Sequence, residues 1–247
     1  EAIAEMGGKP ILLDIDDEKG EVSATQISKK YNINCYYFNC DITNEDAIGK
    51  VKDEIIKSHG KIDILINNAA IDPKVKADHS HETSRLEKFS LEQWNLELSV
   101  GLTGAYLCSK IFGGAMAQNG EGVVVNVSSD LGLISPNQNL YRKEGLKENQ
   151  QPVKPITYSV IKHGIIGMTK YLATYWADKG IRVNAISPGG IYTNQPDEFV
   201  SKISELIPLG RMAHEDEYKA AIVFLCSDAS SYMTGSNLVI DGGRTIL

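Results

Sequence analysis

The chain has 247 residues, a formal charge of −7 and interspersed acidic and basic side chains, which argues against a nucleic-acid or anionic-membrane surface. No apolar run approaches the ~18 residues of a membrane-spanning helix, and no signal peptide is visible at the start of the sequence as given. Cys35, Cys40, Cys108 and Cys226 form no metal-ligand spacing, and reduced thiols in a cytoplasmic protein are expected.

No linker or internal repeat divides the sequence, so a single domain over 1–247 is expected. Glu1 to Met6 reads as the end of a helix closed by Gly7-Gly8. A short buried strand follows from Pro10 to Asp14, then a helix from Glu18 to Tyr31 and a strand from Ile33 to Phe38. Asp41-Ile-Thr43 opens the next helix, with Thr43 as its N-cap, reaching about Ser58. Ile62 to Ile66 is a strand running into Asn67-Asn68-Ala69-Ala70. A polar stretch, Ile71 to Ser90, precedes a long helix from about Leu91 to Gln118. Gly122 to Val127 is a buried strand that delivers Ser128 and Ser129, and an irregular stretch runs from Asp130 to Pro155. A helix over Thr157 to Lys170 leads to a strand, Ile181 to Ile186, ending at Pro188-Gly189-Gly190. The segment to Arg211 carries no clear element; a helix from Glu215 to Ser227 and a strand from Asn237 to Ile240 complete the chain. This alternation predicts an α/β fold whose parallel sheet is covered by helices on both faces.

Tyr158 and Lys162 are four residues apart, so on a helix they share a face. An ammonium beside a phenol favours the phenolate. Bringing a phenol from about 10 to near 7 takes roughly 4 kcal/mol, more than one solvated lysine supplies. Alone the pair is a weak signal. It gains weight because Asp14, Asp41, Asn68, Ser129 and Pro188-Gly189 all fall at the C-terminal ends of predicted strands, where open parallel sheets bind ligands.

With these residues in place, the chain resembles the short-chain dehydrogenase/reductase family from Glu1 to Gly243. The resemblance is carried by Asn67-Asn-Ala-Ala, Ser129, Tyr158-x-x-x-Lys162, Arg182-Val-Asn-Ala, Pro188-Gly189, Ile207-Pro-Leu-Gly-Arg-Met and the Ser-Asp-Ala-Ser-Ser-Tyr-Met-Thr-Gly stretch before Asp241-Gly-Gly. It implies a three-layer, doubly wound Rossmann-type fold and a homodimer or homotetramer. It also implies NAD in preference to NADP, because Asp14 would bind the adenosine ribose and repel a 2′-phosphate; a solvated acid at a strand end is the plainer alternative. Asp41, Ile42, Asn68, Ala69 and Ala70 would line the adenosine side, and Pro188, Gly189, Ile191 and Thr193 the nicotinamide end. Ile191 also fits a core position. The resemblance makes Tyr158 the proton carrier and, with Lys162, a cofactor-binding residue, Lys162 holding the nicotinamide ribose; it makes Ser129, rather than Ser128, the partner of the reacting oxygen.

Three departures from the family pattern stand out. The glycine-rich phosphate loop and the strand before it are absent from the sequence as given, and we expect the natural polypeptide to carry them. Gly101 stands where an asparagine of the family's proton relay is expected, and Asn95 is too far around the helix to replace it. The segments 71–90 and 130–156 are enlarged. The second carries Arg142, Lys143, Lys147 and Lys154 against Glu144 and Glu148, a composition suited to a polar, anionic substrate, with a structural flap or subunit contact as the alternative.

These departures, with the sequence around Tyr158, resemble a bacterial subgroup associated with flagellin modification and surface-sugar biosynthesis. The expected function is hydride transfer between a secondary alcohol and NAD, on a sugar or nucleotide-sugar derivative. A reductase of a lipid or small ketone, and a weakly catalytic NAD-binding regulatory protein, are the alternatives. Asp78, His79, His81 and Glu82 read as a solvated loop rather than a metal site, and His163 points off the Lys162 face. No metal, nucleic-acid or membrane partner is expected.

Overall fold

The computed structural model describes residues 1–71 and 83–247. Asp78, His79, His81 and Glu82 lie outside the described residues. Helix α1 (Ala2–Glu5) ends where Gly7 adopts φ +81°, with Gly8 N–H donating to Ile3 O at 2.9 Å and Gly7 N–H to Ala4 O at 3.0 Å. This is the helix stop expected of Gly7-Gly8. Strands β1 (Ile11–Asp14) and β2 (Tyr36–Asn39) flank α2 (Asp17–Tyr31), and α3 (Glu45–His59) leads to β3 (Ile64–Asn67). The cap of α3 is Asn44 rather than Thr43: Asn44 accepts from Ala47 N–H at 3.1 Å. Thr43 is diverted because its N–H and hydroxyl both donate to Asp41 Oδ1, at 2.8 and 2.7 Å.

β1 and β2 form one parallel pair; β3, β4 (Gly122–Val127), β5 (Ile181–Pro188) and β6 (Asn237–Ile240) form a second, four-stranded parallel sheet in that order. Among the described residues β1 pairs only with β2, so its other edge carries no ladder. A Rossmann sheet in the order 3-2-1-4-5-6 has one strand between the positions that β1 and β3 occupy.

Val124 and Val125 of β4 are both fully buried although they face opposite sides, as a strand covered on two faces requires. One core packs α3, the long helix and the helix Ile156–Tyr175 against Leu65, Val124 and Val183. The other packs Tyr218 and the helix Lys219–Cys226 against Val125 and Ile186. A buried polar chain crosses the first core. Asn67 Nδ2 donates to Asn126 Oδ1 (2.8 Å) and Ser109 Oγ (3.0 Å), and Asn126 Nδ2 to Thr169 Oγ1 (2.9 Å). It fixes β3, β4 and two helices in one register, because any slip would leave buried amides unpaired.

The long helix is not uniform. It is α-helical at Leu91–Leu98, loosens into π-helical turns at Ser99–Gly104 and Ser109–Gly113, and closes at Gly114–Asn119. The stretch before Arg211, expected to be without structure, contains the helix Asp197–Ser204. Its eight residues are marginal alone; Ile203 is held by Leu140, Ile207 and Met212, and Phe199 lies 5.9 Å from the Tyr141 ring. The 130–156 segment is therefore anchored. Buried Gln151 donates to the carbonyls of Lys143 and Leu146 and accepts from Lys143 N–H, and Lys202 Nζ donates to Arg142 O at 3.3 Å.

All four cysteines are free. Burial pushes the Cys108 thiol up to about 12 and the Cys226 thiol to about 11, which leaves both neutral and unreactive near pH 7. Among the described residues no helix is long and apolar enough to cross a membrane.

Candidate active site

Parallel strands present their C-terminal ends on one edge. β1 ends in Asp14 and β2, ending at Asn39, leads to Asp41, while the strands of the larger sheet lead into Asn68-Ala69-Ala70, Ser128-Ser129, Pro188-Gly189 and Asp241. The helix Ile156–Tyr175 begins directly after Pro155 and carries Tyr158 in its first turn. Lys162, one turn later, is buried, and its Nζ donates to Val127 O at the end of β4 at 2.9 Å. That bond brings the helix to the strand end that delivers the serines.

Tyr158 is half-buried, with two ammonium groups near its ring. Lys162 Nζ lies 5.8 Å from the ring centroid and Lys154 Nζ 3.8 Å from it, over the face. Lys154 belongs to the 130–156 segment and is fixed there by Gln138, whose Oε1 accepts from Lys154 N–H at 2.9 Å. Arg142, by contrast, is occupied by both oxygens of Glu148. Of the cations noted in this segment, Lys154 is the one set over the tyrosine.

The two serines have separate partners. Ser128 Oγ donates to Lys162 O at 2.8 Å and is buried within the helix–strand contact. Ser129 Oγ donates to Asp130 Oδ1 at 2.8 Å and accepts from Leu131 N–H at 3.2 Å. Asp130 is in turn paired with Arg244, whose Nη1 lies 2.6 Å from Oδ2.

At Gly101, inside the π-helical turn, an added Cβ would lie 2.9 Å from Ile161 Cγ2. The space an asparagine side chain would need is taken by Ile161, one residue before Lys162. π-helical turns release backbone carbonyls from the helix ladder and recur at functional sites. Earlier on the same helix, Glu97 is buried and accepts from the Thr157 hydroxyl and from Gln93 Nε2. Gly101→Asn is expected to cost about 1–3 kcal/mol by overpacking, read as a lowered thermal midpoint that Ile161→Ala partly restores.

The remaining candidate residues divide. Asp14 is exposed, with Oδ1 accepting from Asp16 N–H at 3.0 Å. Ile42 is half-buried against Gly104, whose added Cβ would lie 2.6 Å from Ile42 Cδ1. Asn68, Ala69 and Ala70 are exposed beyond β3. Gly189 N–H donates to Ile240 O at 2.8 Å, and a Cβ there would come within 2.9 Å of Asp241 Cα, so the turn needs glycine. Ile191 packs on the apolar cluster beneath β5 and β6, which gives it a core contact. Thr193 is exposed, its N–H donating to Gln195 Oε1 at 2.7 Å. His163 is exposed, with Nδ1 2.9 Å from Ser159 O, in keeping with its place off the Lys162 face.

Other motif residues turn out to be structural. Arg182 donates to the carbonyls of Leu225, Ser227 and Met233 and to Ser230 Oγ, and Asn184 to Met233 O. A cation placed at carbonyls closing the helix Lys219–Cys226 also complements its dipole. Sequence reasoning missed Asp130, Arg244 and the position of Lys154. An acid directly after the strand-end serine was the available signal for the first; Arg244 comes from 114 residues along the chain, and Lys154, four residues before Tyr158, precedes the helix, so the helix period does not place it.

Known proteins resemble this chain over nearly its whole length. A family model described as enoyl-(acyl carrier protein) reductase matches residues 1–245. The chain is 35% identical to an NAD-dependent glycerol dehydrogenase from Listeria innocua, covering 100% of this chain and 87% of that protein. It is 31% identical to a D-threitol dehydrogenase from Mycolicibacterium smegmatis, over 99% of this chain and 86% of the relative. Among solved structures, an NAD+-bound xylitol dehydrogenase superposes with a TM-score of 0.83 at 26% identity, over 98% of this chain and 91% of the other. The strand-end serine, the Tyr158–Lys162 helix and these matches together make the chain a member of the short-chain dehydrogenase/reductase family of oxidoreductases.

Proposed function

We propose that the protein is an NAD-dependent dehydrogenase that oxidises a secondary alcohol of a polar, anionic sugar or nucleotide-sugar derivative, with the reverse reduction at the same site. The observation that carries this reading is Tyr158 with Lys154 over its ring and Lys162, which bonds the end of β4, near it. Tyr158 takes the hydroxyl proton when the alcohol is oxidised and returns it when a carbonyl is reduced. Ser129 holds the substrate oxygen through its hydroxyl, where charge develops. NAD, when bound, supplies the hydride acceptor.

Several residues fit such a cofactor. The exposed Asp14 carboxylate and the exposed Asn68-Ala69-Ala70 turn suit an adenosine, and Asp41 and Ile42 border the same side. Pro188, Gly189, Ile191 and Thr193 suit the nicotinamide end, and Lys162 its ribose. The preference for NAD rests on Asp14, since a carboxylate at this strand end repels a 2′-phosphate. Asp14→Ala is expected to narrow the NAD-over-NADP ratio of kcat/KM by about tenfold, equivalent to roughly 1.4 kcal/mol; an unchanged ratio would remove Asp14 from the selection.

An anionic substrate is supported by Lys154, which points a cation toward the tyrosine from the anchored 130–156 segment. The names of the relatives, acting on glycerol, threitol and xylitol, support a polyhydroxylated one. Assays across neutral polyols, aldonates, phosphorylated sugars and nucleotide sugars test this. Lys154→Met should raise KM for anionic substrates about tenfold and leave KM for neutral polyols unchanged. Faster turnover of simple ketones or lipid-like substrates would favour the reductase alternative. A place in flagellin or surface-sugar modification is the setting we propose for such a substrate. Exposed Tyr106, Tyr171 and Tyr175 on the two long helices support assembly as a homodimer or homotetramer, and the reduced thiols support a cytoplasmic location.

A further inference from the structure

We propose that Arg244 is a positioning residue for Ser129, acting through Asp130; this rests on the role given to Ser129 above. The three groups form one buried chain. Arg244 Nη1 donates to Asp130 Oδ2 at 2.6 Å, with the two side chains only 6% and 4% exposed. Asp130 Oδ1 accepts from Ser129 Oγ at 2.8 Å and from Leu131 N–H at 2.7 Å. A serine hydroxyl carries a single proton. Its direction before substrate arrives is therefore set by Asp130, and the direction of Asp130 is set by Arg244.

Arg244 is placed by a rigid turn. Asp241 accepts from Gly243 N–H at 2.9 Å through Oδ1 and from Thr245 N–H at 2.7 Å through Oδ2. Gly242 and Gly243 adopt φ +67° and +91°, and a Cβ on Gly243 would meet Pro208 at 2.9 Å. The same turn abuts Gly189, so the guanidinium is fixed relative to both the serine and the Pro188-Gly189 loop.

The arrangement does something specific for Ser129. When its proton turns to a substrate oxygen, Asp130 keeps the Arg244 and Leu131 donors, so no buried carboxylate is left unpaired. Without the guanidinium, a bare carboxylate would compete with the substrate for the one serine proton. Arg244 thus frees the serine proton to turn to the substrate, while Leu131 N–H, 3.2 Å away, keeps hold of the serine oxygen.

The test is a cycle against Ser129→Ala, with steady-state kinetics in NAD and the best alcohol from the substrate panel. Asp130→Asn/Arg244→Met removes both partners, so neither is stranded in the core. In the wild-type background this pair is expected to lower kcat about tenfold or more with the KM for NAD unchanged. In the Ser129→Ala background the same pair should add less than about twofold. Arg244→Lys, which keeps the cation, should recover part of kcat. An undiminished kcat in the double variant, an equal loss with and without Ser129, or a lysine variant as slow as the double one would overturn the proposal. If Ser129→Ala alone turned over at the wild-type rate, the role of Ser129 would fall and this inference with it. An additive loss on top of a slow Ser129→Ala would sink this inference alone.

Discussion

Tyr158→Phe is expected to lower kcat by about 10²–10⁴-fold, the usual range for a positioned general acid–base group, with cofactor affinity unchanged. The substitution removes one oxygen and keeps the ring. The ring's contact with Lys154, 3.8 Å from its centroid, and the Lys162 bond to Val127 O do not depend on the hydroxyl. The variant should therefore fold normally and bind NAD with the affinity of the parent, measured by calorimetry. Lys162→Met should behave differently. The Val127 carbonyl would lose its buried donor, and both turnover and NAD affinity should fall together if the lysine serves the proton carrier and the cofactor ribose, as proposed. A Tyr158→Phe protein with a raised KM and an unchanged kcat would place the tyrosine in binding rather than proton transfer.

Arg244→Met should lower stability more than any of the other substitutions named above. It leaves Asp130 buried with its Oδ2 unpaired, and breaking a buried ion pair from one side typically costs about 3–5 kcal/mol. For a domain of this size, roughly 2–4 °C of thermal midpoint goes with each kcal/mol, so scanning calorimetry should show a fall of about 6–20 °C. Adding Asp130→Asn should restore most of it, because the stranded charge is gone. High salt should change the wild-type value little, since screening acts weakly on groups this buried. The exposed Arg211–Glu217 pair makes the contrast. Arg211 holds the Glu217 carboxyl down to about 2, but an exposed pair of this kind contributes little in salt.

Sequence and structure agree where local pattern and strand order decide the outcome. The alternation of short apolar strands with amphipathic helices is enough to predict parallel strands and to put Asp14, Ser129 and Pro188-Gly189 at strand ends. The four-residue spacing of Tyr158 and Lys162 needs only the helix period. Failures occur where tertiary contact overrides local signal. Thr43 is a good cap in isolation, yet Asp41 captures it and Asn44 caps instead. The helix Asp197–Ser204 exists because Leu140 and Tyr141, from the inserted segment, cover its apolar side. The π-helical turn holds Gly101 against Ile161, sixty positions along the chain, and no window of local sequence contains that contact.

The candidate site shows the same division. Tyr158, Lys162 and Ser129 could be named from motifs, but what surrounds them could not. The pairing of Asp130 with Arg244 spans 114 residues, and composition alone would class both as solvated charges. Lys154 reads in sequence as one of several lysines in a polar insertion. Only the fold separates it from Arg142, which is paired with Glu148, and sets it over the tyrosine ring.

In the proposed reaction Tyr158 moves the proton of a secondary alcohol as NAD is reduced. Its most direct measurement is the near-ultraviolet absorbance of reduced nicotinamide formed by wild type and Tyr158→Phe, side by side, across the alcohol panel. Saturable formation is expected in the wild type, with a polyhydroxylated anionic substrate the fastest, and almost none in the variant. Equal rates in the two proteins would contradict this role for Tyr158.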